Sequence, residues 1–386
     1  MRDDKGRKMS KSLGNVVDPL DIVGAQGADA LRFTLATGTT PGQDLNLSLE
    51  RLESSRNLAN KLWNAGKLVL LSLEVLPAEE RAALADASFD SAEALASLPL
   101  AERWIVSRLH ALVERTHGCH GRSDLGEAGR GVADFFWADF ADWYLEAAKT
   151  RLYSDNAAAQ HTTRAVLVYV LDRTLRLAHP FMPYVTEELW QALPHRGHAL
   201  IAAQAPQPGA PTDALTLQHF ETLREVVRAI RNARAEYAVE PARRVPAIFI
   251  VTDAALRAAL QGEAAVLSSL ARLEPGAVRF EAAPPAEAGS PDDAVTLLLA
   301  DGLQVLLPVA GLLEPAKELA RLGKQAAKLQ AELGVATARL SNPSFADKAP
   351  PAVVAKAREA VEQLQAQLAA VAVKQAAMER ASAVVS

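Results

Sequence analysis

The segment GRKMSKSLGN, residues 6–15, concentrates groups that can bind phosphate. It holds three basic side chains, two serines and two glycines, with Lys8 and Lys11 as flexible point charges. The serine hydroxyls can donate hydrogen bonds to phosphate oxygens, and the glycines let the backbone bend at both ends. The segment therefore predicts a mobile loop for a phosphate-bearing ligand. The alternative is a solvated basic surface loop, and composition alone favours it because short motifs often match by chance.

The composition of the chain narrows the class of protein. A hydrophobic fraction of 49% over 386 residues predicts a globular protein. Its length suggests about two to four domains. The net charge of -5 excludes a uniformly basic nucleic-acid coat, so any contact with nucleic acid would come from local patches. The single cysteine, Cys119, excludes an intramolecular disulfide and a multi-cysteine zinc site, and we predict no metal held by the protein.

The chain carries no signal for a membrane. No apolar stretch reaches the length of a membrane span, and the amino-terminal residues lack the apolar core of a signal peptide. We therefore expect no contact with a membrane. Separately, we expect a monomer in the cytoplasm, with the chloroplast or the mitochondrion as alternatives. No strand that could support the basic loop precedes it, so we expect Met1 to be an internal methionine.

A long amphipathic helix is predicted from Ser48, a suitable N-cap, to about Leu73. One of its faces carries amides where a solvated helix prefers Glu, Lys and Arg. Amides donate and accept hydrogen bonds together, as the reading of a base edge requires. The alternative, that these side chains bond neighbouring helix ends within a bundle, stays open. This face, the amide stripe, consists of Asn57, Asn60, Lys61 and Asn64.

Residues 100–193 predict further helices of a bundle. Four of the five tryptophans lie there at helical spacing, and we predict that they are core residues and not stacking platforms. After a linker that ends near Thr212, a helix, a strand VPAIFIV and two strands around an Asp301-Gly302 turn predict a small α/β module. Its helix carries a basic stripe that suits a phosphate backbone or, equally, a solvated face with ion pairs. The stripe consists of Arg224, Arg228, Arg231 and Arg234.

The end of the chain has a heptad pattern of Leu and Ala. The pattern runs from Leu312 to Leu340, is broken by NPSFADKAPP, and resumes from Val354 to Val371. Two helices of similar length joined by a Pro-rich loop predict an antiparallel coiled-coil hairpin. Each arm of about 28 residues would be roughly 40 Å long.

These segments, in this order, resemble the class I aminoacyl-tRNA synthetases and, within that family, its valyl branch. GRKMSKSLGNVVDP is similar to the KMSKS loop, NLANKLWNAGK and FFWADFADWYLEAAK to the anticodon-binding bundle, and AHPFMPYVTEELW to the last helix of that bundle. The tail PVAGLLEPAKELARLGKQAAKLQAEL is similar to the valyl coiled coil. An isoleucyl enzyme stays open as an alternative, although it commonly carries a cysteine zinc element that a chain with one cysteine cannot form.

The resemblance implies a mainly α fold. The implied domains are the end of a Rossmann catalytic domain with the KMSKS loop at 1–47, a helical anticodon-binding domain at 48–205, the small α/β module at 213–311 and a coiled-coil tRNA-binding arm at 312–386.

The resemblance also implies a reaction: ATP-dependent activation of valine, with Mg2+ accompanying ATP, and transfer to tRNA(Val). Lys8 and Lys11 would be catalytic, with Lys11 on the phosphates. The chain lacks a HIGH element, most of the nucleotide-binding sheet and an editing domain, so we expect no aminoacylation by the chain alone. A non-catalytic tRNA-binding or scaffold protein stays open. The implied ATP-binding residues are Lys8, Met9, Ser10, Lys11 and Ser12, and the implied tRNA-binding residues are Asn57, Asn60, Lys61, Asn64, Arg231 and Arg234.

Overall fold

The chain divides into two units in the computed structural model. Unit 1 comprises Met1–Leu223 and Gly262–Leu270, and unit 2 comprises Arg224–Gln261 and Ala271–Ser386. The structure describes residues 1–3, 5–38, 42–211, 213–284, 294–299, 302–308, 315–340, 361, 363–365, 367–369 and 371–372.

Unit 1 is helical apart from isolated bridges near its amino terminus. Short 3-10 turns lie at Lys11–Leu13, Leu84–Asp86 and Leu200–Ala202, and a π-helical segment spans Phe135–Tyr144. The α-helices are α1 (Pro19–Gln26), α2 (Ala28–Thr37), α3 (Leu49–Leu73), α4 (Ala78–Ala83), α5 (Ala92–Ala96), α6 (Leu100–Gly121), α7 (Leu125–Asp134), α8 (Leu145–Leu152), α9 (Ala157–Ala178), α10 (Pro183–Ala192), the first part of α11 (Ala214–Glu236), and α13 (Ala264–Leu270).

Helix α3 confirms the helix predicted from the 3.6-residue pattern. The Oγ of Ser48 accepts a hydrogen bond from the backbone N–H of Arg51, which satisfies one of the unpaired donors at the start of the helix. Its buried side contains Leu52, Leu58, Leu62, Ala65, Val69 and Leu73. At Gly66, a Cβ atom would lie 2.6 Å from a methyl group of Leu189, so the absence of a side chain permits the close approach of α10.

The π-helical segment was not predicted, and it changes which aromatic residues face inward. Phe136, Phe140 and Tyr144 are buried at a spacing of four, whereas Trp137 is 40% exposed. Because a π-helix bonds i to i+5, the inward face follows a longer period than the 3.6 of an α-helix. The prediction of a core position is therefore wrong for Trp137, while Trp104 and Trp190 are buried.

The division between the units falls inside α11, whereas the sequence predicts a boundary in the preceding linker. The ring of Phe220 on α11 stacks on Trp104 with centroids 4.0 Å apart, so the first turns of this helix belong to the core of unit 1. The linker itself is held in place, because the carbonyl of Pro206 lies 2.8 Å from His117 Nε2 and the N–H of Ala210 donates to the carbonyl of Asp90.

A buried ion cluster joins distant parts of unit 1. The Arg151 guanidinium donates to both carboxylate oxygens of Glu263 at 2.7 and 2.8 Å, and its other nitrogen lies 3.3 Å from the carboxylate of Glu102. Glu263 also accepts the backbone N–H of Ala101, and Glu102 accepts the hydroxyl of Thr163. Burial raises the pKa of Glu263. Two carboxylates therefore share one cation in a site that excludes water.

Unit 2 contains a four-stranded sheet in the order β2-β1-β4-β3. Strand β1 (Val245–Ile250) pairs in parallel with β2 (Leu273–Glu281) and antiparallel with β4 (Gln304–Pro308), which pairs antiparallel with β3 (Ala294–Leu298). The predicted strand VPAIFIV and the predicted hairpin strands are confirmed. Asp301, in the predicted turn, lies outside the described residues. Helix α12 (Ala254–Gly262) connects β1 to the return segment of unit 1.

Helix α14 (Pro315–Leu340) has the burial pattern of one side of a coiled coil. Its half-buried positions are spaced by three and four residues, while Lys324 and Lys328 are exposed. The described residues from 361 to 372 are helical, and the loop at 341–350 lies outside the described residues. Antiparallel pairing of the two helices stays a prediction. The half-buried positions of α14 are Gly323, Ala326, Leu329, Leu333 and Ala336.

No helix in the described part of the chain is both long enough and apolar enough to cross a bilayer.

We predict that Arg151→Met destabilises unit 1 by about 3–5 kcal/mol at pH 8, because it leaves two buried carboxylates without a cation. Glu263→Gln is the control; it should cost less because Arg151 keeps Glu102. Urea unfolding followed by tryptophan fluorescence measures this, since all five tryptophans lie in unit 1.

The same loss should become smaller towards pH 5. Burial raises the pKa of Glu263 and Arg151 opposes this, so removing the cation raises the pKa of that carboxyl further. The folded variant then takes up a proton that the unfolded chain does not, and its stability rises as the pH falls. A pH-independent loss, or equal losses for the two variants, would contradict the prediction.

Candidate functional site

The basic loop is closed at its base by two side chains, Asp3 and Asn15. The Asn15 amide donates to the Asp3 carboxylate at 3.0 Å, and its oxygen accepts the backbone N–H of Ser10 at 2.9 Å. Asp3 is buried and also accepts the backbone N–H groups of Lys5 and Arg7 and the guanidinium N–H of Arg7. The two residues therefore join the strand-like start of the chain, the first half of the loop and its end.

The charge of Asp3 is stabilised by these donors. The hydrogen bond from Asn15, followed by those from Arg7, lowers the pKa of the Asp3 carboxyl far below its ordinary value. Because the pKa of Asp3 is lower in the folded chain than in the unfolded chain, the ionised carboxylate stabilises the folded loop at every pH above the unfolded pKa. This stabilisation is lost as the pH falls through the folded pKa. The base of the loop is thus ionised and intact at neutral pH.

The second half of the loop is a capped turn. The Ser10 Oγ accepts the N–H of Leu13 and lies 3.1 Å from the Ser12 Oγ, and the 3-10 turn Lys11–Leu13 follows. Gly14 closes this turn in the left-handed region, at φ 63°, where a side chain would be strained.

The two lysines of the loop point away from this scaffold. Lys8 and Lys11 are exposed, whereas Met9 packs against the cluster of Ile22, Leu31, Leu47 and Leu52. The loop is therefore anchored through Met9, Ser10 and Asn15, and it presents ammonium groups to solvent. Sequence reasoning missed the anchoring role of Asp3 and Asn15. The sequence does contain one indication of this role, because Asn15 has a short amide side chain and directly follows Gly14 at the end of the loop.

The amide stripe lies on the outside of the bundle. Asn57, Asn60 and Asn64 are exposed on α3, in the arrangement that the base-reading interpretation requires. The alternative, in which these amides bond helix ends inside the bundle, requires buried side chains. Base reading by the stripe stays a prediction.

Lys61 differs from its neighbours in the stripe. Its ammonium forms an ion pair with Asp142 and lies 3.8 Å from the centroid of the Trp137 ring. Both partners belong to the π-helical segment, so Lys61 holds this segment against α3 by an ion pair and a cation–π contact. Its charge is thus largely neutralised, and its proposed contact with nucleic acid would require this arrangement to change.

The two arginines predicted to contact tRNA have different surroundings. Arg231 is exposed on α11. Arg234 is buried, and its guanidinium donates to the carbonyls of Glu240, Arg243 and Arg272 at 3.1, 2.7 and 3.4 Å. We therefore correct the assignment of Arg234: its donors are used to fix the chain around the start of β1 and are not available to a phosphate.

Three family models match successive parts of the chain. Residues 1–48 match the class I tRNA synthetases of the I, L, M and V group, residues 102–249 match the anticodon-binding domain of tRNA ligases, and residues 315–379 match the tRNA-binding arm of valyl-tRNA synthetases. These matches place the chain among the class I tRNA synthetases.

Within that class, the chain is homologous to part of the valine–tRNA ligases. It is 47% identical over 369 residues to the chloroplastic/mitochondrial valine–tRNA ligase 2 of Arabidopsis thaliana, covering 95% of this chain and 37% of that protein. It is 38% identical over 371 residues to the valine–tRNA ligase of Enterococcus faecalis, covering 95% and 40%. It is 42% identical over 358 residues to that of Carboxydothermus hydrogenoformans, covering 92% and 38%. The chain thus spans 37–40% of these relatives.

We predict that Asn15→Ala loosens the basic loop without unfolding unit 1. The Ser10 amide and the Asp3 carboxylate lose a partner, so protection of the Arg7 and Ser10 amides in hydrogen exchange should fall about five- to tenfold. Ser12→Ala is the control, because the described hydrogen bond of its hydroxyl is to Ser10 Oγ and not to the Asp3–Asn15 base. Equal protection in the Asn15 variant and in the unchanged chain would contradict the role of Asn15.

Proposed function

We propose that the chain supplies the KMSKS loop and the tRNA-binding surfaces of a valine–tRNA ligase. The complete reaction would be ATP-dependent activation of valine followed by transfer to tRNA(Val), carried out by a cytoplasmic monomer. The observation that carries this proposal is the homology to valine–tRNA ligases along 95% of the chain. The geometry of the loop and of α3 supports it.

Lys11 is the residue that we place on the phosphates of ATP, with Lys8 beside it. Their ammonium groups are exposed on a loop whose base is fixed by Asp3 and Asn15. An ammonium that moves onto the pyrophosphate as charge develops there stabilises the transition state more than the bound substrate. Ser10 and Ser12 can donate further hydrogen bonds, and Met9 holds the loop on its apolar cluster.

Mg2+ would accompany ATP. Among the described residues there is no group of three or more His, Cys, Asp or Glu side chains that could hold a metal ion. An ion that enters with ATP would be held by the phosphates and one or two carboxylates, and we derive no step of the reaction through it.

The rest of the chain would bind tRNA. The exposed amides of α3 suit the edges of unpaired anticodon bases, since an amide can both donate and accept. Arg231 and the exposed Lys324 and Lys328 suit phosphates, which position a nucleic acid without reading its sequence. Anticodon reading and the grip on the tRNA body would thus be performed by different surfaces of the chain.

We expect the purified chain to bind a tRNA(Val) transcript and to show no valine-dependent ATP–pyrophosphate exchange by itself. Binding follows from the surfaces above, and the lack of exchange is expected because the chain spans only 37–40% of the length of the relatives. Filter binding and isotope exchange measure the two properties, with a tRNA of another anticodon as the control. Measurable exchange by the chain alone, or equal affinity for both tRNAs, would contradict this expectation.

Replacing Asn57, Asn60 or Asn64 by Ala should reduce the preference for the valine anticodon about tenfold, since a base contact contributes about 1–3 kcal/mol. Stability should change by less than about 0.5 kcal/mol because the side chains are exposed. Binding to wild-type and altered-anticodon transcripts and thermal unfolding measure the two effects. Gln207→Ala, an exposed amide after α10, is the matched control. A variant that loses stability and keeps its preference would assign that amide to the fold.

A further inference from the structure

Arg234, a buried cation of unit 2, has other arginines as its charged neighbours. Its guanidinium donates to the carbonyls of Glu240, Arg243 and Arg272. Burial lowers the pKa of Arg234, and the like charges of Arg272 and Arg243 lower it further. Buried cations in proteins are ordinarily paired with an anion. The surroundings of Arg234 thus satisfy its hydrogen bonds but place further positive charge beside it.

Three further arginines lie at one end of the sheet in unit 2. Arg243 and Arg244 directly precede β1, and Arg272 directly precedes β2. Because these two strands are parallel neighbours, both begin at the same end of the sheet. The N–H of Val245 donates to the carbonyl of Arg272 at 3.2 Å, and the Arg244 guanidinium donates to the next carbonyl, that of Leu273, at 3.0 Å. We call Arg243, Arg244 and Arg272 the arginine cluster.

The backbone of Arg272 is held in an unfavourable conformation. Its φ is 56°, in the left-handed region, where a side chain with a Cβ atom is strained. The hydrogen bonds that its carbonyl accepts from Arg234 and from Val245 hold it there. Its side chain is exposed, as is that of Arg244. Strain of this kind persists where the surrounding structure imposes it, and such residues are frequent at ligand sites.

The acidic residues of the same segments do not balance the arginines. Glu240 and Glu274 are both exposed at this end of the sheet. The segments 240–245 and 271–274, taken together with Arg234, hold four arginines and two glutamates. This end of the sheet therefore carries net positive charge whatever ion pairs these groups form.

We propose that the arginine cluster binds a backbone phosphate of RNA. A phosphate has the charge that this end of the sheet lacks, and the planar guanidinium group matches the spacing of its oxygens. Arg234 would be a positioning residue, because its own donors are used on the carbonyls that fix the segments of the cluster. Contacts to phosphate do not read bases, so this contact would be the same for every RNA sequence.

The proposal adds a contact on unit 2 to the tRNA binding of the proposed function and therefore rests on it. The shared chemistry is that of a phosphate group, and pyrophosphate, a product of the proposed activation step, offers the same oxygens. The test below separates the two sources.

The test measures binding of a tRNA(Val) transcript to the full chain over a series of KCl concentrations. Arg272→Gln and Arg244→Gln should each weaken binding about five- to tenfold at low salt and reduce the slope of log affinity against log salt by roughly one. A transcript with another anticodon should show the same fold loss. Arg279→Gln is the matched control, because Arg279 is an exposed arginine further along β2; it should leave the slope unchanged. Thermal unfolding checks that each variant is folded.

The proposal is overturned if Arg272→Gln and Arg244→Gln keep the affinity and salt slope of the unchanged chain. It is also overturned if Arg279→Gln lowers the slope equally, since any lost positive charge would then have that effect. Calorimetric titration with pyrophosphate is the second arm: loss of pyrophosphate binding in the two variants with unchanged tRNA binding would overturn RNA as the ligand. Retained tRNA binding by the unchanged chain confines each of these failures to the arginine cluster, whereas its absence overturns the proposed function as well.

Discussion

One guanidinium group, that of Arg151, is shared by two buried carboxylates from widely separated parts of unit 1. Glu102 lies near the start of α6, Arg151 near the end of α8, and Glu263 directly before α13. Burying such a group of charges brings little net stability, because the desolvation of each ion offsets most of the attraction. Instead, the cluster selects which segment can pack at this position. A segment without a carboxylate at position 263 would leave the Arg151 guanidinium and the Ala101 N–H each without one hydrogen-bond acceptor. The cluster therefore specifies which part of the chain completes the bundle.

At the candidate functional surfaces, some charged side chains are held in ion pairs that fix the structure, whereas others are exposed to solvent. Asp3 and Arg7 use their charges to hold the base of the basic loop, so that Lys8 and Lys11 remain exposed. On α3, Lys61 is occupied by Asp142 and Trp137, and the neighbouring amides are the groups that face solvent. Charge is thus presented on the loop, whereas the stripe presents neutral hydrogen-bonding groups. This contrast is the one that the proposed function requires, with phosphate at the loop and exposed bases at the stripe.

The local sequence pattern was sufficient to predict the helices and strands whose conformation depends mainly on the residues within them. Apolar spacing and the Ser48 cap were sufficient for α3, and alternating apolar residues were sufficient for β1 and the hairpin. Strand β2 was missed because LEPGAVRFE contains Pro275 and Gly276, which disfavour a strand unless tertiary pairing imposes it.

Long-range contacts decided the rest, and the sequence does not display them. Arg234 looked like the other arginines of its stripe, but its partners are carbonyl groups as far away as Arg272. Trp137 is exposed because it lies on the outer side of the π-helical segment. A pattern with a 3.6-residue period does not reveal this winding. Asn15 lies within the basic loop, but its role depends on Asp3, which lies twelve positions earlier in the chain.

The return of residues 262–270 to unit 1 has a consequence for how the chain folds during synthesis. The Glu263 carboxylate meets the Ala101 N–H across 162 residues. At about 5–20 residues per second, the ribosome needs roughly eight to thirty seconds to make the intervening chain. From the completion of α8 until Glu263 is made, Arg151 has Glu102 beside it but not yet the second carboxylate of the cluster. The amino-terminal bundle must therefore wait, incompletely closed, until the first strand of the next unit has already been made.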